Sequence, residues 1–378
     1  MRCAVVLGGY GNFGKRVVAA LATDRSHRVV VAGRDLQKAR KVAHSVGFPA
    51  EAVSLDGRAS DLAAELRRLN ANVVVHAAGP FQGQDYAVAQ ACIEARVHYV
   101  DLADARAFVC GIGVLDEAAR HNNVLVVSGA SSVPALSSAV VDMLLPGFST
   151  IERIEHGITS GAKPPGLAAM EGVLSFVGKP VKQWRDGQWR TAHGWQDLEH
   201  RRYPHPVGTR WLGNCDVPDL ELFPSRYAPV KTVVFRAGVA MTSSMLATWG
   251  ASWLVRAGLM ASLTPYVPRL HSAALAIERF GSQSSAMHVK VRGLDAKSQA
   301  ISRTWWLVAE NNHGPQVPCF PAIALARKLL RSEVRARGAM PCVGLLSVDE
   351  ILDVGRGLEL RTYSAGESSG ASARSFIP

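Results

Sequence analysis

Six short valine-rich runs, each followed by a stretch of helical spacing, constrain the first 130 residues more than any other feature of the chain. The runs cover 3–8, 28–33, 52–55, 72–78, 97–102 and 123–129, and turn residues bound each one, as strands require. Between them, 14–24, 35–46, 58–69, 85–95 and 112–121 carry apolar residues at helical spacing. Alternation of this kind predicts a doubly wound parallel sheet of the Rossmann type, with helices on both faces. A sheet covered on both sides needs continuous apolar strands, and these runs are continuous.

The character changes after the sixth run. All eight tryptophans fall between 184 and 306, which marks a second domain. The stretch "QWRDGQWR" (183–190) predicts a hairpin, because Asp186-Gly187 accepts the positive φ of a type I′ turn. Residues 287–310 predict another around Gly293-Leu294-Asp295, so the second domain is expected to be α/β with an antiparallel sheet. A helical pattern follows Pro321 over 322–336, and the Ser/Gly-rich end, 364–378, reads as a flexible tail.

Hydrophobic residues at 48% and charged residues at 19% exclude a disordered chain. The six cysteines form no C-x-x-C pair and no secretory signal is evident, so a cytoplasmic location is expected. The net charge of +11 could attract an anionic partner, yet the basic residues do not cluster and no reading motif accompanies them. Nucleic acid is therefore not an expected partner.

The first run ends in Gly9-Tyr10-Gly11-Asn12-Phe13-Gly14, a G-x-G-x-x-G between a strand and a helix. In that setting the first glycine permits a tight turn, the second lets backbone approach a pyrophosphate, and the third lets helix and strand pack closely. The helix N-terminus adds unpaired N–H groups. The second strand ends in Gly33-Arg34, twenty positions after Gly14, where an NAD site would place a carboxylate. An arginine there suits a 2′-phosphate, so NADP is expected over NAD, with Asp35 read as a helix N-cap. Ala78-Gly79-Pro80-Phe81 ends the fourth strand beside the switch point of the sheet, where small residues leave room for the nicotinamide half.

Other chemistries fit less well. Tyr227 and Lys231 have the Tyr-x-x-x-Lys spacing of short-chain dehydrogenases, but Pro229 breaks the helix that spacing needs. Gly129-Ala130-Ser131-Ser132-Val133 lacks the closing glycine of a hydrolase elbow. His193, His200, His205 and Cys215 follow no recurrent zinc spacing.

The glycine motif, together with "ACIEARVHYVDLAD", "SGASSVPALSSAVVD" and "WWLVAENNHGPQVPCFPAIALARKLL", resembles the saccharopine dehydrogenase-like family of NAD(P)-dependent oxidoreductases. The resemblance implies an NADP-binding Rossmann domain over 1–130 and a substrate or dimerisation domain over 131–318. It also implies C-terminal helices, 319–363, returning to the Rossmann domain, with the active cleft between the domains. Members acting on amino acids carry acidic and histidine side chains after the sixth strand, as in Gly-Leu-Asp-Pro-Gly-Ile-Asp-His. Here the place reads Gly129 to Leu136 with neither, which points to a more apolar small-molecule substrate or to one held by hydroxyls.

Hydride transfer needs a proton donor or a stabiliser of developing charge at a strand's carboxyl end. Tyr99 and Asp101 are the catalytic candidates by position, with Asp104, Ser131 and Ser132 beside them. Each has a structural reading too, as a core aromatic or a helix cap. The apolar stretch 239–268, with two tryptophans and Arg256, is expected to touch a membrane surface, line the substrate pocket or form a homodimer contact rather than to span a bilayer. The chain thus reads as an NADP-dependent oxidoreductase, the alternative being an NADP(H)-binding sensor or scaffold without turnover.

Overall fold

The computed structural model describes residues 1–368, in two compact units. Unit 1 comprises Met1–Leu136 and Gln316–Arg356, and unit 2 comprises Ser137–Pro315 and the chain from Gly357.

Unit 1 begins with β1 (Arg2–Leu7), α1 (Gly14–Leu21), β2 (His27–Gly33), α2 (Leu36–Val46), β3 (Ala50–Ser54) and α3 (Leu62–Arg68). It continues through β4 (Val73–His76), α4 (Ala87–Glu94), β5 (His98–Asp101), α5 (Arg106–Gly111), α6 (Asp116–His121) and β6 (Leu125–Ser128). The strands lie in the order 6-5-4-1-2-3, all parallel. Valines 5, 6, 29 to 31, 73 to 75, 100, 126 and 127 are fully buried, so the continuous apolar runs do mark a sheet covered on both faces. Each such side chain contributes about 1.5–3 kcal/mol on leaving water. The strand order reverses between β1 and β4, which sets the switch point at their carboxyl ends. The helix expected over 112–121 forms as a 3₁₀ turn (Ile112–Leu115) and α6, preceded directly by α5. Gly111 ends α5, and a Cβ there would meet the Tyr86 hydroxyl at 2.6 Å.

Unit 2 starts with α7 (Ser137–Leu144), β7 (Thr150–Ser160) and α8 (Leu167–Leu174), then β8 (Pro180–Arg185), β9 (Gln188–His193), β10 (Glu199–Arg202) and β11 (Thr209–Asn214). It goes on with α9 (Asp219–Arg226), β12 (Thr232–Val239), α10 (Thr242–Arg256), α11 (Val267–Ile277), β13 (Ser285–Leu294) and β14 (Ala300–Ala309). Both expected hairpins form. Asp186 and Gly187 have φ of 51° and 75°, as a type I′ turn demands. The sheet is mixed rather than antiparallel, because β12 runs parallel to β7 over eight residue pairs. Such a pair requires a crossover, and α8 to α9 supply it. On one face His156, Asp219 and Ser137 are buried together, with His156 Nε2 3.0 Å from Asp219 Oδ1 and the Ser137 hydroxyl donating to the same oxygen.

The chain then returns to unit 1 as α12 (Phe320–Leu330), β15 (Gly338–Pro341), which extends the parallel sheet beside β6, and α13 (Val348–Asp353). Nine of the eleven residues of α12 are buried, as a helix apolar all round requires. It stops at Leu330, short of residue 336, where Arg2 Nη1 donates to the Leu330 carbonyl at 2.5 Å and Ser332 takes a φ of 60°. Finally β16 (Leu360–Ser368) joins unit 2. This corrects the tail expected from 364: Ser364 and Ala365 lie in the ladder opposite Trp305 and Thr304, and backbone pairing rather than side-chain character orders them. The rest of that expected tail, 369–378, lies outside the described residues.

Candidate dinucleotide site

At the end of β1 the left-handed residue is Gly8, with a φ of 80°, so Gly8 makes the tight turn that the motif reading gave to Gly9. A Cβ on Gly8 would lie 2.9 Å from the Ala78 amide nitrogen, and its absence brings the ends of β1 and β4 together. At Gly14 a Cβ would fall 2.1 Å from the Gly8 carbonyl oxygen, so the third glycine does allow helix to meet strand. Gly11 differs: its Cβ would meet only the Gly8 oxygen, at 3.1 Å. The outer side of Gly11 is thus free for a ligand's approach.

Hydrogen bonding around this turn is unevenly distributed. The amides of Gly8 and Gly9 donate to Ala32 O and that of Gly11 to Gly8 O, whereas the amides of Asn12, Phe13 and Gly14 have no acceptor among the described residues. Three adjacent N–H groups at the start of α1 form a site for an anion. Arg16 Nη1 donates to Asn12 Oδ1 at 2.7 Å and to the Asn12 carbonyl, tying the loop to the first turn of the helix. Neither Gly8 nor Arg16 was singled out in the sequence; the only signal was the Gly8-Gly9 doublet. These residues fit a dinucleotide pyrophosphate.

At the end of β2, Tyr10 and Gly33 require one another. A Cβ on Gly33 would come within 2.4 Å of Tyr10 Cε1, and the Tyr10 hydroxyl accepts from the Asp35 amide at 3.3 Å. Asp35 caps α2: its carboxylate accepts from Lys38 N at 3.0 Å and pairs with Lys38 Nζ at 3.1 Å. These Lys38 contacts hold its carboxyl below the ordinary value. Arg34 is exposed, and its guanidinium has no hydrogen bond or ion pair among the described residues. The one free charge at this strand end is therefore positive.

The ends of β4 and β5 divide the remaining candidates. Ala78 and Pro80 are half-buried and Gly79 is exposed, with Gln84 Nε2 holding the Ala78 and Pro80 carbonyls at 3.0 and 2.5 Å. Phe81 turns inward, its ring centroid 5.1 Å from that of His76 and 5.3 Å from that of Phe108, and so serves as packing rather than as a cofactor contact. Tyr99 and Asp101 are 0% exposed. Tyr99 lies in the main core of unit 1 with its hydroxyl 3.0 Å from His76 Nδ1. Asp101 Oδ1 accepts from the amides of Ala103 (2.9 Å) and Gly129 (2.8 Å), joining the ends of β5 and β6. Burial raises the Asp101 carboxyl to about 6, while hydrogen bonds to it act the other way. Burial also lowers His76 to about 4, leaving it neutral. Both expected catalytic residues are thus buried, with hydrogen bonds that join the strand ends. Ser131 and Ser132 are buried as well. Asp104 remains: it is partly exposed, its carboxyl is raised by desolvation, and Gln82 Nε2 lies 3.4 Å from its Oδ1.

Residues 4–132 match the family described as saccharopine dehydrogenase NADP binding domain. Over those residues the chain is similar to that NADP binding domain. Among solved structures, an apo histidine-tagged saccharopine dehydrogenase (L-Glu forming) from Saccharomyces cerevisiae superposes with a TM-score of 0.69 at 13% identity, covering 96% of this chain and 100% of that one. At that identity what the two share is the fold. A dehydrogenase from Chromobacterium violaceum (TM-score 0.38, 11% identity, 93% and 83% covered) is less alike. So is GenD2 from gentamicin A biosynthesis in complex with NAD (0.44, 12%, 98% and 97%). No curated protein sequence matches the chain.

Proposed function

We propose that this saccharopine dehydrogenase-like chain is an NADP-dependent oxidoreductase acting on a small, rather apolar substrate. The observation that carries the reading is the row of unbonded amides at Asn12, Phe13 and Gly14 beside the open side of Gly11. Gly9, Gly11 and Gly14 would let the pyrophosphate reach those amides, with Tyr10, Asn12 and Phe13 around it. Gly33 and Arg34 would hold the 2′-phosphate, whose charge Asp35 does not oppose because Lys38 answers it. Ala78, Gly79 and Pro80 would border the nicotinamide. When bound, the cofactor supplies or accepts a hydride.

The residues of the chain then have to manage a proton and exclude water. Asp104 is the group we assign to hold the proton, because it stands just past the carboxyl end of β5, is partly exposed, and has its carboxyl raised by desolvation. The apolar substrate class rests on the loop Gly129 to Leu136, which offers buried serines and no charge. A second reading, NADP(H) binding without turnover, is favoured by the burial of Tyr99 and Asp101.

Calorimetric titration with NADPH and NADH, then a reductase screen of ketones, imines and enoyl compounds, tests both readings. NADPH should bind more tightly, by on the order of tenfold or more for an Arg–phosphate pair, and Arg34→Asp should reverse the preference. Equal affinities would overturn the NADP assignment. In the variant Asp104→Asn, turnover should fall about 100-fold with NADPH affinity intact; unchanged turnover removes Asp104 from the mechanism, and binding with no turnover on any carbonyl, imine or enoyl class leaves the second reading.

A further inference from the structure

Helix α10 is built the wrong way round for a helix of a water-facing surface. Its inner side places Met245 in a small core with Leu174, Trp195 and Val267. Its outer side carries Leu246, Trp249 and Trp253 at i, i+3 and i+7, one stripe of the helix, with Leu254 beside them. Trp249 and Trp253 are 37% and 46% exposed, and Leu259, just past the helix, is 78% exposed. Eight of the fourteen large apolar side chains that stand exposed among the described residues fall between 246 and 280, ending with Phe280 after α11. Single exposed leucines are ordinary; a concentrated group such as this marks an interaction surface.

The charges around the group indicate what covers it. No Asp or Glu occurs from Leu222 to Ile277. Across α8, α10, α11 and the Glu278–Phe280 turn the acids are Glu171 and Glu278, both half-buried, whereas Arg256, Arg269 and Arg279 are all exposed. Arg256 stacks 5.1 Å from the Trp253 ring centroid and Arg279 4.7 Å from that of Phe280, so cations flank the apolar groups. Aromatic rings beside arginine, with no fully exposed acid on these elements, match an anionic headgroup layer. A second copy of the chain matches less well: a two-fold contact through this stripe would bring the same three arginines of each copy together with no exposed carboxylate to answer them. The length also decides how the helix meets lipid. At 15 residues α10 is roughly 22 Å long, too short to cross the hydrocarbon layer, and no helix among the described residues is long and apolar enough to do so.

We propose that the outer face of α10 and α11 lies on an anionic lipid bilayer, with Trp249, Trp253, Leu259 and Phe280 at the headgroup boundary and Arg269 and Arg279 against lipid phosphates, while Arg256 is held by Gln196 Oε1 at 2.7 Å. The proposal stands on unit 2 alone and is independent of the oxidoreductase reading. The surface is peripheral, and binding is reversible and sensitive to salt.

Flotation of the full chain with vesicles tests it, using phosphatidylcholine alone and phosphatidylcholine mixed with phosphatidylglycerol. The chain should float with the mixed vesicles, far less with phosphatidylcholine, and less as salt is raised. Arg269→Gln with Arg279→Gln should weaken partition by about fivefold per arginine, and Trp249→Ser with Trp253→Ser by on the order of tenfold or more. Arg269, Arg279 and Leu259 are exposed, so the arginine pair should melt at the wild-type temperature, as should Leu259→Ser, which lies outside any helix and is a further variant with the same expected direction. Failure to float with either vesicle overturns the proposal, as does equal binding to both with the arginine pair without effect. A stable dimer that Trp253→Glu dissociates, with no vesicle binding, would overturn it in favour of a second copy.

Discussion

Two glycines three residues apart should respond to the same substitution in opposite ways. Gly14→Ala places a Cβ 2.1 Å from the Gly8 oxygen and 2.9 Å from the Gly9 Cα, all backbone, so β1 and α1 must separate. Overpacking of that kind costs about 1–3 kcal/mol or more, which lowers the melting temperature of a unit this size by roughly 2–4 °C for each kcal/mol. Gly11→Ala meets one atom at 3.1 Å, and Gly11 is not among the residues with positive φ, so its stability should stay within about 1 kcal/mol of wild type. The added methyl does stand where the pyrophosphate would approach. Losing two charge-assisted hydrogen bonds at about 1.5–3 kcal/mol each weakens NADPH binding at least about 100-fold. Calorimetric titration and thermal melts on the two variants separate these effects. If Gly11→Ala bound NADPH within about threefold of wild type, the account of the loop would be refuted.

Two further outcomes follow from buried groups. His76 is neutral when folded and titrates near 4, against about 6.5 unfolded. Its contribution is therefore intact above pH 6.5 and is lost as pH falls towards 4, by up to about 3 kcal/mol; in urea melts across that window His76→Gln should gain on wild type as pH drops, and a difference independent of pH would contradict a buried neutral imidazole. Asp219→Ala strips His156 and Ser137 of their shared buried carboxylate and should cost about 3–5 kcal/mol while leaving NADPH affinity unchanged; a loss below about 1 kcal/mol would mean the three groups do not depend on one another.

The sheet of unit 1 and its glycine turn were legible because each depends on local chemistry: continuous valine runs, and positions where no Cβ fits. The hairpin at 183–190 was legible for the same reason, since Asp186 and Gly187 both need positive φ. Side-chain direction was not. On strands buried on both faces no alternation shows which residues look outward, so the inward packing of Tyr99 and Asp101 does not show in the sequence, nor does that of Phe81 in the loop after β4. Strand β7 was hidden by its charges. Glu155 lies amid Arg153 of the same strand and Arg201 and Arg292, which β10 and β13 bring from distant sequence. The role of Gly8 depends on Ala78, seventy residues away, and β16 on a ladder with β14; neither partner is visible locally.

A crystal structure of the chain with bound NADPH tests the central claim most directly. The account predicts pyrophosphate oxygens within hydrogen-bonding distance of the amides of Asn12, Phe13 and Gly14, and the 2′-phosphate against the Arg34 guanidinium. A dinucleotide held elsewhere, with those three amides still unbonded, would contradict it.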